Sequence, residues 1–86
     1  MTFNELNSCQ HTLYPVKTMN TLEEYYEFLK DGTILDLDDL SFNIYGGYNT
    51  DNLVRIGEIP YIYLLRKVTN YERNFLHAQL YKVTIL

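Results

Sequence analysis

The sequence predicts an α+β domain: one amphipathic helix packed on a small antiparallel sheet of four to five strands. Three observations predict it. Residues 21–32 carry both a start and a stop signal for a helix. The remaining apolar residues fall mostly in short alternating runs, and Gly, Pro, Asn and Asp punctuate those runs too closely for helical crossovers, so neighbouring strands meet antiparallel. The 86 residues amount to a single domain, residues 1–86, because a chain this short buries only about 60–65% of its unfolded surface and cannot divide its core. With 47% of its residues apolar and 21% charged, the chain has the composition of a packed domain rather than a disordered tail.

Residues 1–10 show no sustained period and are expected either to fray or to form one helical turn from Thr2 to Asn7. From His11 to Lys17, Leu13 and Pro15 alternate with Thr12, Tyr14 and Val16, the pattern of a short strand. Pro15 cannot donate to a ladder, which assigns that strand to a sheet edge. The helix follows. Thr21 with Glu24 three residues on matches a capping box, in which the Thr hydroxyl oxygen accepts from the backbone N–H of the third helical residue while the Glu carboxylate reaches back. Leu22, Tyr25, Tyr26 and Leu29 recur at helical spacing and predict one buried stripe, with Glu23, Glu27 and Lys30 outside. Gly32 suits the left-handed residue that ends a helix. A helix this short is marginal alone and needs a sheet to pack on.

Residues 33–40 read two ways: Ile34 and Leu35 open a strand, or Asp36 followed by Asp39 opens a helical turn. Leu40, Phe42 and Ile44 then alternate with Ser41, Asn43 and Tyr45 up to Gly46-Gly47. After the turn formers Tyr48–Asn52, extended character resumes from Leu53 to Ile56, so residues 40–57 read as a hairpin with a longer loop. Gly57 and Pro60 bracket a further connection, and residues 61–86 read as two long strands joined by the polar stretch Thr69–Asn74. Pairing those strands so that Ile62, Leu64 and Val68 face Leu76, Ala78 and Leu80 unites two apolar sets. The same register puts Tyr61, Tyr63, Leu65 and Lys67 on the opposite face with His77, Gln79, Tyr81 and Val83, and a one-residue slip would mix the sets.

The net charge of −4 conceals a division, for residues 1–60 carry −7 and residues 61–86 carry +3. This argues against nucleic acid binding by the whole surface and for an acidic face beside a weakly basic one. Nine Tyr and eight Asn beside a single Ala and no Trp point to AT-rich codons, and so to a phage, a mobile element or a low-GC bacterium. Cys9 stands alone, which leaves no internal disulfide, and the apolar runs are too short for a membrane span or a signal-peptide core. A cytoplasmic protein is expected, in the host cytoplasm if a phage encodes it, without membrane association.

Recognisable chemistry is sparse. Cys9 and His11 have a metal-like spacing, but zinc needs three or four such ligands and only His77 remains. Asp36, Asp38 and Asp39 resemble the start of a calcium loop, yet the sixth position is Ser41 and the twelfth is not Glu. Gly46-Gly47 has neither the Lys-Ser/Thr ending nor the following helix of a phosphate loop. No Ser or Cys sits in a nucleophile motif. The expectation is no catalysis, no metal and no cofactor, with His11 or His77 retained as the residues of a minor hydrolase or toxin reading.

What remains is binding. The leading expectation is a small acidic interaction protein, an inhibitor or modulator that docks on another protein in one of two ways. The acidic set Glu23, Glu24, Glu27, Asp31, Asp36, Asp38 and Asp39 can enter a basic groove on a nucleic-acid enzyme in place of phosphates, or the aromatic face of Tyr61, Tyr63, Tyr81 and Lys67 can carry a homodimer or heteromer. The alternative is a single-stranded nucleic-acid binder that stacks bases on the same tyrosines. The net acidity tells against it, since phosphate binding needs a basic footprint.

Overall fold

The structure is a computed structural model; it describes residues 2–37, 41–43, 47–56 and 62–86, with 31–37 and 41–43 described by backbone alone. The elements are α1 (Phe3–Asn7), β1 (His11–Met19), α2 (Leu22–Asp31), β2 (Gly32–Leu37), β3 (Ser41–Asn43), β4 (Gly47–Ile56), β5 (Ile62–Asn70) and β6 (Phe75–Ile85). The strands make one sheet in the order β1-β6-β5-β4-β2, with β3 beside β2 along the same edge of β4. Every pairing is antiparallel. The α+β class therefore stands, with six strands rather than four to five and a second helix.

The two helices lie on opposite faces, and this organises the packing. On one face Tyr25, Phe28 and Leu29 of α2 pack with Met19, Val54, Leu65, Ala78 and Leu80. On the other, Leu6 and Phe3 of α1 pack with Leu13, Leu53, Leu64 and Val83. The opening turn is capped by Thr2, whose hydroxyl oxygen accepts from the Glu5 N–H at 3.2 Å. Burying Leu6 fixes this short helix against the sheet, since an isolated turn has no stability of its own.

Helix α2 begins as predicted, with the Glu24 N–H donating to the Thr21 hydroxyl oxygen at 3.2 Å. The reciprocal half differs: Thr21 donates its hydroxyl hydrogen to the Glu24 carboxylate at 3.3 Å. The inward stripe is also rotated. Leu22 and Tyr26 are 43% and 56% exposed, and Phe28 turns inward in their place. The segment has apolar residues around more than half its circumference, and a flat sheet touches only a narrow strip of a short helix, so the sheet decides which three are covered. Gly32 does not end in a free cap; it is the first residue of β2 and pairs with Ile56.

Strand β4 runs unbroken through Tyr48–Asn52, the residues expected to turn. Its backbone is paired to β5 on one side and to β3 and β2 on the other, so ladder hydrogen bonds override the turn preference of Asn and Asp side chains. Residues 44–46 and Leu40 of the expected hairpin lie outside the described residues. Gly47 is required where it stands, because a Cβ there would collide with the carbonyl oxygen of Thr69 on β5. Strand β1 is an edge, as Pro15 implied, and its ladder with β6 is offset by a bulge between Pro15 and Lys17.

The register of β5 and β6 overturns the expected one. Leu64 lies opposite Tyr81 and Leu65 opposite Leu80, which is the one-residue slip that mixes the apolar sets. With a helix on each side, neither face has to be polar, so the pairing is not set by gathering apolar residues on a single side. The burial of β5 shows this directly: Leu64 and Leu65 are both buried, as are Val68 and Thr69. The two strands join through a tight turn in which the Arg73 N–H donates to the Asn70 carbonyl at 2.9 Å and the Asn70 N–H to the Asn74 carbonyl at 3.0 Å. Arg73 adopts a left-handed conformation, with φ of 65°.

Candidate functional site

The acidic residues of α2 form a surface of their own. The apolar strip faces the sheet, which leaves Glu23, Glu24 and Glu27 on the outer side of the helix, all exposed. With Phe28 from the same helix and Lys17 from β1 they line a groove of about 400 Å³. Glu24 is steadied by Thr21, and Glu27 by Lys30 at 3.3 Å. Such an arrangement offers carboxylates, one ammonium and an aromatic edge, groups that can recognise a charged partner.

The rest of the predicted acidic set is placed by the backbone alone or lies outside the described residues. Asp31 closes α2. Asp36 stands on β2 opposite Leu53, at the far edge of the sheet and four strand spacings from β1, about 19 Å. Asp38 and Asp39 lie outside the described residues.

The predicted aromatic set is divided as well. Tyr63 packs with the α2 cluster and Lys67 places Nζ 5.7 Å from the Tyr25 ring centroid, whereas Tyr81 belongs to the α1 face. Tyr61 lies outside the described residues. The slipped register is the cause, since it moves Tyr81 to the face opposite Tyr63.

No family model, curated protein or solved structure matches the chain.

The remaining candidates are placed as follows. Cys9 is half-buried and its thiol points to the Leu6 carbonyl, while the His11 Nδ1 lies 3.1 Å from the Cys9 carbonyl. His11 pairs with Ile85 and His77 with Val68, about 27 Å apart along β6 at the rise of an antiparallel strand. Among the described residues no three His, Cys, Asp or Glu gather as metal ligands, and no helix is long and apolar enough to cross a membrane.

Two groupings were not legible in the sequence. Arg66 and Asp51, opposite each other on β5 and β4, form a two-pronged ion pair with Nε–Oδ1 at 2.8 Å and Nη2–Oδ2 at 3.1 Å. These hydrogen bonds hold the guanidinium more firmly protonated than usual. The second grouping lies at the β5–β6 turn, where the Arg73 guanidinium sits 6.0 Å over the Tyr48 ring and Tyr71 meets that ring edge-on at 6.2 Å. Both need cross-strand neighbours 15 to 25 residues apart, which no local spacing announces.

Proposed function

We propose that this chain is a small, acidic, non-catalytic interaction protein that docks on another protein through the outer face of α2. The observation that carries the reading is the convergence of Glu23, Glu24 and Glu27 on one groove with Phe28 and Lys17. In this reading α2 works as an amphipathic docking helix: Tyr25, Phe28 and Leu29 anchor it while its glutamates meet a basic surface. A basic groove on a nucleic-acid enzyme is a suitable partner, where the carboxylates stand in for phosphates and the protein acts as an inhibitor or modulator. The residue usage, rich in amino acids with AT-rich codons, supports a phage or mobile element as the source, and the lone Cys9 agrees with action in a reducing cytoplasm.

Affinity capture from the source cell, with mass spectrometry of the retained proteins, tests the proposal. A partner should be held at low salt, released as salt rises to about 0.5 M, where screening is strong within a few ångströms, and lost when Glu23, Glu24 and Glu27 are all replaced by Lys. A partner held equally by the triple variant, or unaffected by salt, overturns it.

A further inference from the structure

We infer that the end of the sheet formed by Tyr48, Lys67, Tyr71 and Arg73 is a binding site for single-stranded nucleic acid. This goes beyond docking through α2 and uses none of the residues that line its groove. The first observation is conformational. Arg73 holds a φ of 65°, a region where Gly and Asn are at home and a long side chain is disfavoured. Glycine would make the same turn with less strain, so Arg73 sits there at some cost in backbone strain, and such outliers cluster at ligand-binding and switch regions.

The second observation is what the guanidinium does. It has no carboxylate partner: among the described residues the ion pairs are Lys30 with Glu27 and Arg66 with Asp51. It lies instead over the Tyr48 ring, beside Tyr71, which is 60% exposed. Lys67 repeats the arrangement one row further in, where its Nζ lies over Tyr25. Tyr48 is opposite Thr69 and Lys67 opposite Thr50, so both cations belong to one face of β4 and β5, on rows about 7 Å apart.

Cations left unneutralised beside aromatic rings suit a ligand that is anionic and planar at once. A single nucleic acid strand has both properties: a base stacks on the exposed Tyr71 ring while its phosphates meet the cations. A duplex hides its base faces and has no use for Tyr71. An acidic peptide would satisfy the cations but leave the rings unused. Two cations limit the electrostatic share, so affinity should fall with log salt at a slope of only about −1.4, at roughly −0.7 per phosphate on a single strand.

Fluorescence anisotropy of a labelled oligothymidylate of about 12 nucleotides, within the site size of small sheet-based binders, tests the inference on the intact chain. The wild-type protein should bind at low salt with that shallow slope, and Tyr71→Ala should weaken binding about 10-fold, as loss of one stacking ring does. Arg73→Gly is the decisive variant. It should weaken binding while holding or raising Tm, because it removes the cation and relieves the turn together. The inference is overturned by no anisotropy change with either oligothymidylate or oligouridylate, by equal binding of a duplex of the same length, or by Arg73→Gly binding as well as wild type. None of these outcomes bears on the α2 groove.

Discussion

Arg66 holds Asp51 through two parallel hydrogen bonds across the β4–β5 ladder, and the guanidinium also lies 5.7 Å over the Tyr81 ring. Both side chains are partly buried, so the pair lies between an exposed ion pair, worth under about 1 kcal/mol, and a fully desolvated one. Asp51→Ala should destabilise the fold by about 1–2 kcal/mol in urea unfolding, because it leaves a half-buried cation without its acceptor. Arg66→Met should cost at least as much, since it strands the more deeply buried Asp51 carboxylate even though the Met stem still covers Tyr81. A double-mutant cycle with a coupling near zero would show the pair to be ornamental.

The register of β5 and β6 makes a sharp distinction between two leucines. Leu65 is fully buried opposite Leu80, whereas Leu76 falls where the ladder shifts between Val68 and Thr69 and is 50% exposed. Leu65→Ala should therefore cost about 2–5 kcal/mol, and Leu76→Ala within about 0.5 kcal/mol of nothing. The register that unites apolar sets buries Leu76 instead, so comparable losses from the two substitutions would contradict the observed pairing.

Tyr25 gives the fold a predictable alkaline limit. Burial, with a smaller contribution from neighbouring Tyr26, raises its phenol above the ordinary 10.0. The folded state thus keeps the proton after the unfolded chain has released it. This contribution is whole below pH 10, declines as pH rises above it and is gone beyond the raised folded value. Tyr25→Phe should flatten the fall in Tm above pH 10 and remove a late-ionising tyrosine from an ultraviolet absorbance titration. An unchanged titration would show that Tyr25 is not the protected phenol.

These relationships mark the boundary of what could be read from the chain. The capping Thr21, the body of α2, the edge strand with Pro15 and the final hairpin were all legible, because each depends on residues within one turn or one strand. The inward stripe of α2 was misread at Leu22 and Tyr26, since the choice between adjacent apolar residues belongs to the sheet beneath. The course of β4 through Asn49-Thr50-Asp51-Asn52 was hidden by side chains that favour turns and are overruled by pairing on both edges. The acidic groove on α2 could be read in part: Glu23, Glu24 and Glu27 share a helix and line one groove, but Asp36 shares only a charge with them and stands on another strand. The tyrosine face failed with the register, for an error of one residue exchanges the two sides of a strand.

Among the described residues strand β1 has a single neighbour, β6, and His11 finds its place opposite Ile85. Strand β1 is therefore completed by β6, a strand that emerges about sixty residues later. During synthesis β4 and β5 can pair early, but β1 and Leu13 beneath α1 must wait until residues 78–85 emerge, which makes closure of that edge a late and slow event set by loop entropy rather than by local preference. Until then β1 is an unpaired strand, and Pro15 with its adjacent bulge guards it against the wrong partner.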